Sequence, residues 1–435
     1  MKTHSSHNTL ETAGVLSSGA PPTKTRWMGL GLVFFMTFLC SIDRANFSVC
    51  TTTMMSDLHL TPVQMGMMIS AFALAYATLQ IPGALWVRRY GTRLTVAIAV
   101  SLWSFFTLYT GLATGFLSLI VARTFFGFGE SPVFPAMNKY IFHWFPLKER
   151  AFANAIPHTG SVFSMVVAPP LIVWVLQLFG WRWVFYLCAG LGFLGSALWY
   201  CLTRNTPQEH PKVNEAELSC IEGGRNATVV KKSEKVPWRT FFKFRSFWFI
   251  GVSYFCAIYM QQYFTYWLPF YLQHQLHMSL KKMGFAASIP WICIFICTML
   301  VGRFSDWLVR THRPLIVARN CIVAGGFAAA AISMYISTFM TNPWVVVGLL
   351  SIALGFVGCC MAIPWAIASD IGGEYTGVIS SWMNCWGQMG AAVMGTATAY
   401  IGTRYGWNNT LIALVVVASV GMVAAMMIRT ETRLA

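Results

Sequence analysis

Charged residues are scarce in this sequence. Of its 435 residues, 10% are charged and 56% are hydrophobic, whereas soluble domains average about 25% charged residues. This shortage excludes an ordinary soluble domain. Apolar runs of about 20 residues recur from Trp27 to Ile428, and each can cross a bilayer as a helix. The alternation typical of a membrane β-barrel is missing, so we predict an all-α membrane protein.

Several chemical signatures are also missing. The twelve cysteines are scattered, with no CxxC pair and no Cys/His metal spacing, so we expect no metal site. No nucleophile–base pair and no phosphate-binding loop is visible, so we expect neither an enzyme nor a cofactor. Residues 1–26 lack the apolar centre of a cleaved signal peptide and are expected to form a polar cytoplasmic tail.

Acidic residues are fewer than basic ones, 14 against 30, which gives a net charge of +16. Such a balance is also found in nucleic-acid-binding proteins. Here most Lys and Arg residues fall in short connections between apolar runs, as the positive-inside rule requires. We therefore predict contact with a lipid bilayer and no nucleic-acid partner.

The apolar runs predict twelve transmembrane helices. Their approximate limits are 27–50, 62–87, 93–112, 115–142, 151–178, 182–203, 246–272, 283–308, 315–338, 343–368, 374–401 and 407–428.

One long polar stretch, residues 204–245, divides these spans into pseudo-symmetric six-helix bundles at 27–203 and 246–428. It holds nine Lys or Arg and five Glu. With the N-terminus inside, inner loops are much richer in Lys and Arg than outer ones. This asymmetry predicts that both termini, including the tail 429–435, and the central loop are cytoplasmic.

A weak internal repeat supports two related halves. Each copy places a Gly, Gly83 or Gly302, before a charged cluster at the inner end of the second helix of a three-helix unit. We expect these clusters to take part in conformational change. Their members are Arg88, Arg89, Arg93, Asp306 and Arg310.

Three ionisable residues lie deep within apolar spans. Arg123 and Glu130 are seven residues apart, so they share one helix face at about 10 Å along the axis. From its position in the first span, Asp43 is expected to be level with Arg123, with Glu130 deeper. Charges in a membrane are costly and usually line a substrate or proton pathway.

The twelve spans, together with the stretch Gly83–Arg93 between the second and third of them, resemble the major facilitator superfamily and its signature, although Arg88 occupies the usual Asp position. Four further motifs occur along the chain: Ile42-Asp43-Arg44-Ala45-Asn46, Arg123-x3-Gly127-x-Gly129-Glu130, Trp144-Phe145-Pro146-x2-Glu149-Arg150 and Trp267-Leu268-Pro269-x-Tyr271-Leu272. These motifs resemble the anion:cation symporter family within that superfamily, which includes bacterial carriers of sugar acids.

The resemblance implies proton-coupled import of an organic anion across a bacterial inner membrane, by a functional monomer. Asp43, Glu130 and Arg123 would then couple proton movement to transport. A carboxylate whose Arg partner comes and goes can load and release a proton near neutral pH. The alternative is that Asp43 and Arg123 form a fixed structural ion pair.

Arg44 is the candidate for binding the substrate carboxylate. It follows Asp43 directly and points about 100° around the helix, and its guanidinium offers a bidentate fork. A further structural ion pair is the alternative. Sugar hydroxyls need neutral partners, and ordinary interhelix hydrogen bonds are the alternative for each candidate. These candidates are Tyr76, Ser161, Asn384 and Gln388, and Trp365 is the candidate for stacking on the apolar face of a sugar.

Other transport modes remain open at this point. They are a proton-coupled antiporter or exporter, and a uniporter of an aromatic or dicarboxylic acid. The fifth span has Gly160 and Pro169-Pro170 but no Gly-Pro-rich cluster like that of the superfamily's antiporters, which disfavours export.

Overall fold

The computed structural model describes residues 21–222, 241–372 and 375–430, and regular structure there is helical. Most of the predicted tail 1–26, part of the central loop and most of the tail 429–435 lie outside these residues. The N-terminal half contains α1 Thr25–Asp57, α2 Pro62–Gly111, α3 Phe116–Glu130, α4 Val133–Trp144, α5 Leu147–Phe179 and α6 Trp181–Leu202, followed by the short α7 Glu215–Glu222.

The C-terminal half repeats this order of long helices. It contains α8 Arg245–Tyr266, α9 Leu268–His274, α10 Leu280–Arg310, α11 Cys321–Ser337, α12 Pro343–Gly372, α13 Thr376–Tyr405 and α14 Asn408–Met426.

In the part of the chain that the structure describes, helices cover all twelve predicted crossings, six in each bundle. Two crossings lie in α2, which bends at Gly91, where φ is 80°. This left-handed backbone conformation favours glycine. The fourth crossing is split into α3 and α4 at Ser131-Pro132, because proline cannot donate a backbone hydrogen bond. The seventh is split into α8 and α9 at Trp267.

Within the described ranges, nine helical segments are long and apolar enough to cross a membrane when α2 is counted as two. The other three predicted crossings are the split α3–α4 pair, α8 and α13. Both α8 and α13 are less apolar because they carry polar side chains such as Gln261 and Asn384. Two of these less apolar crossings, α3–α4 and α13, carry candidate site residues identified from the sequence.

Each bundle buries its own apolar interior. In the N-terminal bundle, α1 packs on α5 and α6, and α2 packs on α3 and α6. In the C-terminal bundle, α12 packs on α10 and α11, and α8 packs on α13 and α14. The bundles meet mainly where α2 packs on α13 and α5 on α10. We call the side where α1 begins and α14 ends the terminal face, and the other side the opposite face.

Helix α7 closes the terminal end of α1. Glu217 of α7 is fully buried and accepts hydrogen bonds from the backbone N–H groups of Thr25 and Arg26, at 3.3 and 3.0 Å. These are orphan donors of the first turn of α1, where a carboxylate is favourable. The Arg26 side chain also pairs with Glu149 of α5, at 3.1 Å. This clamp joins α1, α5 and the central loop.

Removal of the Glu217 carboxylate should therefore destabilise the N-terminal bundle. We expect Glu217→Ala to lower the free energy of unfolding by about 2 kcal/mol, because it leaves buried backbone donors unpaired. Thermal unfolding of the purified protein in detergent measures this loss. The control is Glu215→Gln on the exposed side of the same helix, and equal unfolding temperatures for the two variants would contradict the clamp.

Candidate functional site

The centre of the N-terminal bundle holds an ion pair between α1 and α3. The Arg44 guanidinium donates to the Glu130 carboxylate. Glu130 is completely buried, whereas 20% of the Arg44 side chain is exposed. The Cys40 thiol, one turn before Arg44, also donates to Glu130. Glu130 is therefore enclosed inside the bundle, whereas the Arg44 side chain is partly accessible from outside it.

Arg44 is held by aromatic rings as well as by its acid. Its guanidinium carbon lies 5.3 Å from the centre of the Phe72 ring and 5.6 Å from that of Tyr76. Both rings belong to α2, and attraction to their faces stabilises a cation. The predicted binding residue Tyr76 is thus beside Arg44.

Asp43 and Arg123 form a second buried pair of opposite charges. Asp43 accepts from the Asn46 amide at 3.3 Å, while Arg123 lies with its guanidinium carbon 3.7 Å from the centre of the Phe47 ring. Both charged residues are buried, and they attract each other without a direct ion pair. Two Arg123 nitrogens, Nε and Nη2, lack a hydrogen-bond partner among the described residues.

The glycines of the α3 motif explain how these charges come together. Gly127 lies against the backbone of Phe72, and Gly129 lies against the backbone of Trp103. A side chain at either position would push α3 away from α2. The Gly127-x-Gly129 spacing therefore allows α3 to carry Arg123 and Glu130 into the bundle centre.

The C-terminal bundle contributes neutral polar groups. The Trp365 indole N–H donates to the Tyr254 hydroxyl at 3.1 Å, and 45% of Trp365 is exposed. Asn384 of α13 donates to Gln80 of α2 at 3.3 Å, which is a hydrogen bond between the two bundles. The sequence alone does not predict either of these pairings.

Two other predicted binding residues, Ser161 and Gln388, form no hydrogen bond with Arg44 or with the residues around it that the structure describes. The Ser161 hydroxyl donates to the carbonyl of Pro157 in its own helix, at 3.2 Å. Gln388 lies one turn beyond Asn384 on α13 and is half-buried. The geometry brings neither side chain into contact with Arg44.

The charged cluster of the first repeat lies at the terminal face. Arg88 and Arg89 are exposed. Arg93 instead donates from Nε to the carbonyl of Tyr200 at 2.8 Å and stacks on the ring of that residue, with its guanidinium carbon 4.2 Å from the centre. Arg93 therefore fixes α2 to α6 within one bundle.

The second repeat contains an ion-pair network that the sequence only partly predicted. Arg319 contacts Asp306 at 3.4 Å and Asp370 at 3.1 Å, and donates to the Ser305 hydroxyl at 2.6 Å. Arg310 is exposed. Sequence reasoning missed Arg319 and Asp370, although Arg319 is a charge inside a predicted span and carried the necessary signal.

The two bundles contact each other closely towards the opposite face. Ser70 of α2 donates to the carbonyl of Ala392 at 2.5 Å and lies 2.7 Å from the Thr396 hydroxyl. Gly66 and Gly395 lie backbone to backbone nearby. On the other side of the interface, Gly284 of α10 packs against α5. The structure is therefore closed at the opposite face.

A side chain at Gly66 should prevent this closure. A Cβ atom there would collide with the Gly395 carbonyl oxygen, so we expect Gly66→Val to reduce the rate of transport by about tenfold or more. Gly348→Val is the control, because a Cβ at Gly348 meets nothing within 4 Å. Uptake of a labelled substrate into proteoliposomes measures both, and wild-type uptake by Gly66→Val would show that tight contact here is unnecessary.

The comparisons with known proteins agree with this architecture. Residues 33–395 match the family model of the Major Facilitator Superfamily, so the chain belongs to that superfamily, whose members are transport proteins and not enzymes. The predicted superfamily and the all-α membrane fold are confirmed.

Two curated relatives cover nearly the whole chain. The D-galactonate transporter of Escherichia coli is 29% identical over 93% of this chain and 95% of its own length. The probable galactarate/D-glucarate transporter GudP of Bacillus subtilis is 32% identical over 90% of this chain and 89% of its own. The expected similarity to sugar-acid carriers is thus confirmed.

A solved structure shares the fold at low identity. It is a bacterial homologue of the human lysosomal transporter Spinster, captured in an inward-facing and occupied conformation. The TM-score is 0.76 at 16% identity, over 93% of this chain and 96% of the other.

Proposed function

We propose that this protein imports an organic anion by proton symport and alternating access. The substrate we favour is a sugar acid, namely a hexonate, an aldarate or a hexuronate. The observation that carries this proposal is the Arg44–Glu130 pair, in which the acid is buried and the guanidinium is partly exposed. Its relatives carry galactonate, galactarate and D-glucarate by their names.

The ion pair suggests how a proton and an anion are linked. Ionised Glu130 holds the Arg44 guanidinium and competes with any external carboxylate. Protonation of Glu130 removes that competitor, so Arg44 can offer its fork to the substrate. Loss of the proton on the other side of the membrane restores the internal pair and expels the anion.

Asp43 and Arg123 form a second charge pair that we assign to proton coupling. Because Arg123 lacks hydrogen bonds at two nitrogens, a small shift of α3 against α1 can bring it into direct contact with Asp43. That change would alter the proton affinity of Asp43. It would connect helix movement with protonation at a site near Arg44.

Neutral groups from the C-terminal bundle suit a polyhydroxy substrate. Trp365 offers a partly exposed indole face for the apolar side of the chain, and the Gln80–Asn384 pair offers amides for hydroxyl groups. A substrate bound between Arg44 and these groups would contact both bundles. Such a position is the one that rocking of two halves alternately exposes.

The setting of the transporter is part of the same proposal. We place it in a bacterial inner membrane as a functional monomer, with the terminal face in the cytoplasm. The bundles 27–203 and 246–428 would rock against each other. Arg88, Arg89, Arg93, Asp306 and Arg310, at the terminal face, would take part in the movement.

Uptake into proteoliposomes tests this function. The purified protein is reconstituted and offered labelled hexonates, aldarates, hexuronates and aromatic acids, with and without an inward proton gradient. We expect accumulation of a sugar acid above the external concentration only when the gradient is present. Accumulation that ignores the gradient, or one driven by an outward gradient, would contradict proton symport.

A further inference from the structure

A groove on the bilayer-facing side of the N-terminal bundle has no role in the proposed transport. It lies between the second part of α2 and α6 and has a volume of about 600 Å³. Small and apolar residues form its walls: Ala97, Ile98, Ser101, Phe193, Ala197 and Tyr200.

The two serine hydroxyls of this groove are already satisfied within the protein. The Ser101 and Ser196 hydroxyls are 2.9 Å apart, and Ser196 donates to the carbonyl of Ala97 at 2.8 Å. The walls therefore present an apolar surface to the bilayer. Ala97 and Ala197 leave it hollow because their side chains are short.

One end of the groove carries an unpaired positive charge. Arg93 stacks on Tyr200, which is itself a wall residue, and its Nε is anchored on the Tyr200 carbonyl. Its backbone N–H donates to the Asn205 side chain at 3.0 Å. Across residues 21–222, 241–372 and 375–430, Arg93 has no acidic partner, and its terminal amino groups make no hydrogen bond.

The distance from the Arg93 charge to the far end of the groove matches one leaflet. From Arg93 to Leu102 at the far end, α2 rises about 14 Å at 1.5 Å per residue. Half of a hydrocarbon core of about 30 Å is about 15 Å. Arg93 lies beside the bend of α2 at the terminal face, which is the level of the lipid headgroups.

We propose that this groove binds one anionic phospholipid of the leaflet at the terminal face. An acyl chain fills the space between α2 and α6, and the headgroup phosphate accepts hydrogen bonds from the free amino groups of Arg93. A guanidinium suits a phosphate because its donors match two oxygens. An anionic lipid is further favoured by the neighbouring positive charges of Arg88 and Arg89.

Native mass spectrometry of the full chain in detergent tests the proposal. The purified protein is titrated with phosphatidylglycerol, phosphatidylcholine or inorganic phosphate, and the retained lipid is counted. We expect one phosphatidylglycerol to be retained with preference over phosphatidylcholine. Both Arg93→Gln and Ala197→Trp should weaken this binding about tenfold, because one removes the charged hydrogen bonds and the other fills the groove.

The matched control is Arg245→Gln. Arg245 is also a terminal-face arginine near an aromatic ring, with its guanidinium carbon 5.1 Å from the centre of Phe249, but it lies away from the groove. Ala197 is exposed, so Ala197→Trp should fold normally. This variant therefore still tests the proposal if Arg93→Gln fails to fold. Equal lipid retention by all three variants would overturn the proposal. So would equal retention of phosphatidylcholine, or displacement of the lipid by inorganic phosphate alone.

Discussion

Replacement of Glu130 by glutamine is expected to abolish uphill accumulation while substrate exchange continues. Glutamine has nearly the same shape and still accepts a hydrogen bond from Arg44, but it cannot take up or release a proton. The cycle then lacks its link to the proton gradient. Accumulation in proteoliposomes should fall to equilibrium with the outside, whereas exchange between preloaded and external substrate should continue at a comparable rate.

The pH dependence of exchange provides a second readout of the same variant. The proposed proton symport couples binding of the anion to uptake of a proton, so anion binding to the wild type should weaken as the pH rises. In Glu130→Gln, the guanidinium has no ionised competitor at any pH. The affinity of the variant should therefore stay high where that of the wild type declines.

Glu209→Gln is the control for these measurements, because Glu209 is an exposed acid outside the bundles. It should accumulate substrate like the wild type. Gradient-driven accumulation by Glu130→Gln would exclude Glu130 as the coupling acid. Loss of exchange in a variant that remains folded and monodisperse would instead indicate a structural role for the carboxylate.

Much of the fold was predictable because membrane burial leaves a simple pattern. Twelve apolar runs and one polar loop gave the crossings and their division into halves. The breaks inside crossings were harder to predict. Pro132 and Pro269 both lie near such breaks, yet Pro157 and Pro169 lie inside the continuous helix α5. A proline permits a break, and packing against neighbouring helices decides whether one forms.

The partners of the buried charges were less predictable than their presence. Sequence positions indicated that Asp43 and Arg123 lie at one level, and the structure places them within electrostatic reach. The pair of Arg44 with Glu130 depends on how α1 and α3 rotate against each other. The spacing of residues along a single helix does not predict how two helices are rotated relative to each other. The sequence therefore predicts a ligand-binding role for Arg44 without identifying Glu130 as its partner.

The structure is compatible with both roles considered for Arg44, ligand binding and an internal ion pair. Its pairing with Glu130 fits a structural ion pair, which was the alternative to ligand binding. Its partial exposure and its contact with Tyr76 fit a ligand site. In the proposed symport cycle the two states would alternate, because the same guanidinium would bind the internal acid and the substrate carboxylate in turn.

Replacement of Arg44 by glutamine is therefore expected to lower substrate affinity about a hundredfold. Loss of a charged, hydrogen-bonded partner of a carboxylate in a partly desolvated site costs about 2–5 kcal/mol, and each 1.4 kcal/mol is about a factor of ten. Isothermal titration of the purified protein measures the dissociation constant directly. Arg44→Lys should lose less, about tenfold, because it keeps the charge but not the fork.

Arg182→Gln is the matched control. Arg182 also pairs with an acid, Asp57, at 2.6 Å, but this pair is exposed at the opposite face. Its loss should leave substrate affinity unchanged, since exposed ion pairs contribute little. Full affinity in Arg44→Gln would remove Arg44 from the binding site.

The double variant Arg44→Gln with Glu130→Gln separates the two roles of Arg44. The single variant leaves a buried acid without its cation, which by itself can distort the site. The double variant removes both charges and should recover thermal stability. If Arg44 contacts the substrate, affinity stays about a hundredfold weaker in the double variant, whereas a return to wild-type affinity would mean that Arg44 only neutralises Glu130.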